Sequence, residues 1–320
     1  MILKRLLHHK LPYKPIVDLA FTHAEPPKPT GSSATKPPVI LTLHGLFGSK
    51  NNFSLVNKYL AKDFSTDVYA VDLRNHGTSP RAKPYDYLTM ARDLIHFVNT
   101  HIDPLRSVNI VGFSLGGKIA LTMALSKKIN VEKCVSVDIP PYCTPGLDDV
   151  LLQNYDKIMQ ISRREIKIEK GTKKWKEKLI SEFRKVPVNV DDKLVLYFAN
   201  GFFQVKNNNC PYIQGKDADP YVNHTMDVLD MPDLLDQVKA WPDFKKTSPL
   251  EFRYQTNTEV LFMRGLKSEF ITDDYSRLGV QFPNFIVKEF DSRHNIIGES
   301  PVQFYDCLKE FLSQVSVPRC

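Results

Sequence analysis

The chain has little cysteine, and its cysteines do not form a framework. Its 320 residues include five cysteines at widely spaced positions, with no C-x-x-C pair. An odd number of scattered thiols argues against a disulfide scaffold and against a zinc site, and it favours a reducing compartment. We therefore expect neither a metal centre nor covalent cross-links.

Long apolar runs and a strong net charge are also absent. No stretch approaches the length that crosses a bilayer, which predicts a soluble protein without a transmembrane segment. The formal net charge is only +7, and the densest basic cluster, residues 167–185, is interleaved with glutamates. This pattern is typical of a solvated helix face, with docking of an anionic ligand or a membrane surface as the alternative, and nucleic acid is not expected as a partner.

Acidic residues are missing from the N-terminus, where the first one is Asp18. Residues 1–12 combine basic side chains with leucine and isoleucine. They are predicted to form either a disordered basic tail or a short amphipathic targeting segment of the mitochondrial kind.

Apolar runs bounded by turn signals alternate with helical patterns in two parts of the chain. Such runs predict strands buried on both faces of a parallel sheet. The predicted strands are 16–22, 39–43, 67–71, 108–111, 133–137, 259–263 and 285–290, and the predicted helices are 54–59, 88–101, 117–125 and 303–315. Between residues 142 and 258 the alternation stops, and long charged and aromatic segments (147–161, 175–183 and 194–203) predict a mostly helical insertion. We expect one core, residues 13–141 and 259–320, carrying a helical cap at 142–258.

The most informative stretch runs from Ser107 to Lys118 and reads SVNIVGFSLGGK. It contains G-x-S-x-G around Ser114, between a predicted strand and a predicted helix, which is the context of a nucleophile elbow. A structural glycine turn is the alternative. Together with the alternating strands and helices, the elbow predicts an α/β-hydrolase fold: a mostly parallel sheet with flanking helices and a cap over the carboxyl ends of the strands.

A serine hydroxyl needs a base to accept its proton, and the base needs a group to orient it. In this architecture the histidine follows the last strand, where only His294 lies. The loop after strand 259–263, where the acid is usually found, has Ser268 followed by Glu269. We favour Asp138, directly after strand 133–137, with Glu269 as the second choice. The alternative for Asp138 is a helix cap or a loop stabiliser.

Acyl transfer also needs N–H donors for the oxyanion that develops on the substrate. We assign the backbone N–H groups of Leu115, which follows the nucleophile, and Leu46, in the loop after strand 39–43. In that loop we expect His44 to shape the backbone by hydrogen bonding, and we expect His76 to anchor a tight turn beside Gly77.

Four segments together resemble the α/β-hydrolase domain-containing protein 11 family and its yeast relatives, the mitochondrial ethanol acetyltransferases. The segments are HGLFGSKNNF (44–53), D-x-RNHG-x-S (72–79), GFSLGGK (112–118) and RG-x-x-S (264–268). The resemblance implies that the acid is Asp138, that a serine is normal in the later loop, and that the protein is mitochondrial.

The resemblance also implies an alcohol acetyltransferase that moves the acetyl group of acetyl-CoA to ethanol, with thioesterase and esterase side reactions. Acetyl-CoA would be a substrate, so no cofactor is expected, and no phosphate-cradling loop identifies residues that bind it. Partners would be small ester, thioester and alcohol molecules. The alternatives are a plain carboxylesterase or thioesterase, and a non-catalytic ligand receptor on a hydrolase fold.

Overall fold

Strands at the centre of the protein form one seven-stranded sheet. The computed structural model describes residues 12–27, 36–144, 167–169, 171–185, 192–199, 202–203, 223–224, 234–246, 250–272 and 274–314. The strands are β1 (Phe21–Ala24), β2 (Val39–Leu43), β3 (Val68–Val71), β4 (Val108–Phe113), β5 (Val131–Val137), β6 (Phe202–Phe203), β7 (Asn223–His224), β8 (Glu259–Gly265) and β9 (Phe285–Phe290). The order in the main sheet is β1-β3-β2-β4-β5-β8-β9. Within it β1 is antiparallel to β3 and the other pairings are parallel, and β6 pairs separately with β7.

Helices cover both faces of this sheet. They are α1 (Ser54–Phe64), α2 (Tyr87–His101), α3 (Leu115–Ala124), α4 (Trp175–Phe183), α5 (Asp192–Ala199), α6 (Leu234–Lys239), α7 (Ile296–Glu299) and α8 (Pro301–Ser313). All five residues of β2 are buried. Leu41 and Leu43 belong to the apolar cluster that includes α2 and α3, whereas Ile40 belongs to the cluster that includes α1 and α8. Alternate side chains therefore enter opposite layers, as a strand of a covered parallel sheet requires.

The carboxyl ends of the central strands meet at one edge of the sheet. Leu43 pairs with Gly112, Phe113 pairs with Val137, and Val137 pairs with Met263. The loops that follow these strands therefore lie side by side, which is where ligands bind in open α/β sheets.

The first predicted strand is wrong in its position. The sequence predicts a strand over residues 16–22, but β1 comprises Phe21–Ala24. Just before β1, backbone N–H groups donate hydrogen bonds to side chains of other elements. The Val17 N–H donates to Asp93 (2.9 Å), and the Ala20 N–H donates to Ser79 Oγ (2.8 Å). The other predicted strands and helices are found at or close to the expected positions, as far as the described residues extend.

The predicted cap, residues 142–258, connects the neighbouring strands β5 and β8. Its described parts include α4, α5, α6 and the short β6–β7 pair. Residues 1–11 and the segment 147–161 of the predicted cap lie outside the described residues. The bounds of the basic segment (1–12), the core (13–141 and 259–320) and the cap (142–258) stay predictions. Within the described ranges, no helix combines the length and the hydropathy needed to span a bilayer.

Candidate active site

Ser114 lies at the sharp turn between β4 and α3. Its backbone has φ 52° and ψ −119°, and α3 begins at the next residue. The turn requires close approach of two backbones: a Cβ on Gly112 would lie 2.2 Å from the Gly116 carbonyl oxygen, and a Cβ on Gly116 would lie 2.4 Å from the Leu43 carbonyl oxygen. Only glycine fits at these two positions, and the strained serine is thereby held at the end of β4.

Ser114, His294 and Asp138 are joined by hydrogen bonds. Ser114 Oγ lies 2.9 Å from His294 Nε2, and His294 Nδ1 lies 2.8 Å from Asp138 Oδ2. Because an ionised carboxylate only accepts, Nδ1–H donates to Asp138, and Nε2 is left to accept the serine proton. The structure thus brings the three side chains together from the ends of β4 and β5 and from the loop after β9.

Asp138 is fully buried, and its carboxylate has two further donors. The Gly265 N–H donates to Oδ1 at 2.9 Å, and the Ser268 hydroxyl donates to Oδ2. Glu269, the second choice from the sequence, is exposed, while His294 Nδ1 bonds Asp138. The sequence shows Ser268 only as the residue that stands where an acid is usually found. That same observation is the signal that could have identified it as a donor to an acid elsewhere.

Two aromatic rings hold the imidazole of His294. The Phe270 ring stacks on it with centroids 3.8 Å apart and planes 10° apart, and the Phe113 ring lies 5.0 Å away. Phe270 is buried, so its face of the imidazole is shielded from water. The sequence carried no signal for this role, because a phenylalanine in a loop is usually core.

The loop after β2 (residues 44–48, here called the β2 loop) is held by two buried histidines. His44 Nδ1–H donates to the Gly45 carbonyl oxygen (2.8 Å), and His44 Nε2 accepts the Leu73 N–H (3.0 Å). Burial lowers the pKa of His44 to about 4, so the ring is neutral at pH 7. The Gly45 carbonyl shares a planar peptide group with the Leu46 N–H, so His44 fixes the direction of that N–H.

His76 holds the other side of the same loop. Its Nε2 accepts the Phe47 N–H at 3.3 Å, and its Nδ1–H donates to the Arg74 carbonyl oxygen at 3.0 Å. Both histidines therefore bond backbone. His44 shapes its own loop as predicted, whereas His76 bonds its own turn at Arg74, as predicted, and also reaches the β2 loop, which was not predicted. The assigned donors, the N–H groups of Leu46 and Leu115, make no backbone hydrogen bond within the described part of the chain.

Lys118 fixes α3 to the insertion, a role that the sequence did not reveal. Its buried ammonium group donates to the carbonyl oxygens of Val238, Lys239 and Ala240 at 3.3, 3.1 and 2.9 Å. These are carbonyls at the C-terminal end of α6, which carry partial negative charge and have no partner within the helix.

Together these groups can activate a serine toward a carbonyl carbon. A neutral imidazole in contact with Ser114 can accept its proton, and the buried carboxylate can stabilise the imidazolium that results. Among the described residues, no cluster of three or more histidine, cysteine, aspartate or glutamate side chains could hold a metal ion.

Comparison with known proteins gives the same picture of the fold. The family described as the α/β hydrolase fold matches residues 38–301. A solved marine microorganism esterase has a TM-score of 0.70 at 22% identity, covering 92% of this chain and 99% of its own. The thioesterase domain of a curacin biosynthetic pathway has a TM-score of 0.58 at 13% identity, covering 92% and 98%.

Relatives that are similar in sequence indicate a narrower group within this fold. The protein named ethanol acetyltransferase 1 of Cyberlindnera jadinii is 30% identical over 318 residues, which cover 95% of this chain and 89% of that protein. The protein of the same name from Wickerhamomyces anomalus is 31% identical over 277 residues, covering 85% and 68%. The chain therefore belongs to the α/β-hydrolase family, in the group that includes the yeast ethanol acetyltransferases.

Proposed function

We propose that the protein transfers short acyl groups through an acyl-Ser114 intermediate, with an alcohol as acceptor and water as the competing acceptor. The observation that carries this proposal is the hydrogen-bonded chain from Asp138 through His294 to Ser114. The names of the yeast relatives support acetyl transfer to ethanol. As the donor we propose acetyl-CoA. Ethyl acetate would then be the product, and thioester and ester hydrolysis would be side reactions.

In the first half of the reaction His294 takes the Ser114 proton while the oxygen attacks the carbonyl carbon. The N–H groups of Leu46 and Leu115 donate to the developing oxyanion. His294 then returns the proton to the departing alkoxide or thiolate, and the acyl group stays on Ser114. Asp138 keeps His294 in the tautomer with the proton on Nδ1 and stabilises its charged form.

In the second half His294 activates the acceptor. Attack by water gives the free acid and attack by an alcohol gives a new ester, so the two outcomes differ only in which molecule reaches the acyl-serine. The segment 142–258 would act as a cap that controls this choice by excluding water and offering an apolar acceptor site. In the alternative, a plain carboxylesterase or thioesterase, water is the only acceptor that reacts with the acyl-serine.

The first experiment tests the nucleophile. Purified protein is expected to hydrolyse p-nitrophenyl acetate and to react with a fluorophosphonate probe, and Ser114→Ala should lose both activities. Unchanged turnover in Ser114→Ala would refute the proposal. A wild-type protein that is neither labelled nor active would point to the ligand-receptor alternative.

The second experiment separates transfer from hydrolysis. The enzyme is supplied with acetyl-CoA with and without ethanol, and ethyl acetate and acetate are measured by gas chromatography. We expect ethyl acetate to form in proportion to ethanol at the expense of acetate. If acetate is the only product at every ethanol concentration, the enzyme is a thioesterase and not an acetyltransferase.

We also propose a mitochondrial location, supported by the basic and apolar composition of residues 1–12. A C-terminal fluorescent fusion of the full chain should co-localise with a mitochondrial marker in yeast. The same fusion without residues 1–12 should be diffuse. A diffuse signal from the full chain would contradict the proposal.

A further inference from the structure

Tyr197, on α5 of the insertion, lies against the β2 loop. A Cβ on Gly45 would stand 2.8 Å from Tyr197 Oη, and a Cβ on Gly48 would stand 2.6 Å from the same atom. These distances are shorter than real Cβ contacts, so the phenol reaches the loop backbone only because both positions are glycine. The two glycines flank Leu46 and Phe47, and the loop is touched here by a side chain from about 150 residues further along the chain.

Further contacts hold Tyr197 in this place. Its ring meets the Phe113 ring edge to face, with centroids 5.6 Å apart, and Asn52 Nδ2 donates to the Tyr197 carbonyl oxygen at 3.4 Å. Val195 and Ala199 on the same helix are buried. Phe113 also lies beside the His294 imidazole, so Tyr197 joins the β2 loop to the ring that borders the base.

We propose that Tyr197 is a positioning residue that fixes the β2 loop so that the Leu46 N–H points at the oxyanion. His44 and His76 hold the loop by hydrogen bonds to Gly45 and Phe47, and Tyr197 holds it through contact with Gly45 and Gly48. A loop held at all these points keeps its peptide planes fixed while charge develops. An oxyanion donor is effective only when it is aligned before the reaction begins.

This inference rests on the proposed acyl transfer and adds to it a direct dependence of the chemical step on the insertion. A cap that only admits or excludes substrate would change KM or the choice of acceptor. A cap side chain that fixes an oxyanion donor changes kcat, because the interaction is realised in the transition state.

The test uses Tyr197→Phe and Tyr197→Ala, with Leu196→Ala as the matched control. Leu196 is the neighbouring residue on α5 and is 51% exposed. With p-nitrophenyl acetate we expect kcat to fall about 3- to 10-fold in Tyr197→Phe, which loses the atom nearest the loop, and about 10- to 100-fold in Tyr197→Ala. KM should stay within about twofold, and Leu196→Ala should match wild type.

The inhibition constant of a trifluoromethyl ketone distinguishes a positioning role of Tyr197 from a purely structural one. The ketone adds to the serine and places a tetrahedral oxyanion against the donors. Its inhibition constant should rise in the Tyr197 variants by the same factor by which kcat/KM falls, whereas inhibition by the product alcohol should stay unchanged. Thermal unfolding of each variant shows whether the protein is folded, and Tyr197→Phe carries the test if Tyr197→Ala is not.

A second genetic test uses the contact itself. Gly45→Ala introduces a methyl group 2.8 Å from Tyr197 Oη and 3.0 Å from the Phe113 ring, and it should lower kcat. Adding Tyr197→Phe removes the closer of these two contacts and should restore part of the loss. Full wild-type kcat in folded Tyr197→Ala would overturn the proposal, as would an altered acyl-length preference with unchanged ketone affinity. Either result requires a wild-type enzyme that turns over the ester, so it is distinct from failure of the proposed function itself.

Discussion

Protonation of His44 should destabilise the protein in a defined pH window. The ring is fully buried, its Nε2 accepts the Leu73 N–H, and burial lowers its pKa from 6.5 to about 4. Because the folded protein holds the neutral form, the stabilising contribution is complete above pH 6.5. As the pH falls toward 4, the unfolded chain binds a proton that the folded protein does not, and stability is lost.

The size of this loss follows from the two pKa values. Each pKa unit is worth about 1.4 kcal/mol, so the full interval between 6.5 and about 4 corresponds to about 3.5 kcal/mol of unfolding free energy, of which about 3 kcal/mol is lost by pH 4. Below about pH 4 the folded protein also binds the proton, and this contribution no longer changes. The predicted loss is a large fraction of the stability of a typical domain.

The assay is urea unfolding at pH values from 4 to 7.5, followed by circular dichroism, for wild type and His44→Gln. The glutamine can still accept the Leu73 N–H through its side-chain oxygen, but it does not titrate. We expect the stability difference between the two proteins to shrink by about 3 kcal/mol as the pH falls from 6.5 to 4, because only wild type loses stability through this group. A difference that stays constant over the window would refute the reasoning.

Two further substitutions follow from the site. Asp138→Asn should lower kcat/KM for a short-chain ester about 10³- to 10⁴-fold, because the amide no longer keeps the His294 proton on Nδ1. Glu269→Gln, at an exposed position, should stay within about twofold of wild type. The opposite ranking in steady-state kinetics would make Glu269 the acid. Lys118→Met should lower the free energy of urea unfolding by about 2–4 kcal/mol, since three carbonyls at the end of α6 lose a charged donor. An unchanged urea concentration at the midpoint of unfolding would show that α6 does not depend on this ammonium group.

The placement of Ser114, His294 and Asp138 could be predicted because it depends on local signals and on chain order. A buried apolar strand followed by G-x-S-x-G specifies both the turn and the glycines that it needs. Once the sheet is known to be mostly parallel, the ends of successive strands must meet at one edge. Asp138 and His294 are side chains with suitable chemistry that the sequence places at or just after those ends.

The supporting contacts could not be predicted, because they join residues that are far apart in sequence. Tyr197 and Asn52 are separated by 145 positions, and Lys118 and Val238 by 120. No local pattern distinguishes a tyrosine that touches a loop from one in the core. The position of the first strand was mispredicted for a related reason: Val17 and Leu19 are buried, but the N–H groups of Val17 and Ala20 bond side chains of α2 and of the loop after β3.

Asp138 and Ser268 are two parts of one arrangement. In the sheet β5 lies between β4 and β8, so a carboxylate at the end of β5 lies between the elbow and the loop after β8. That loop supplies the Gly265 N–H and the Ser268 hydroxyl to Asp138, whose second oxygen also accepts from His294. An acid at position 268 would place a second carboxylate beside the first, where the two like charges would repel each other. A serine there donates a hydrogen bond to Asp138 Oδ2 instead, so the loop after β8 supports the carboxylate at the end of β5 and does not compete with it for His294.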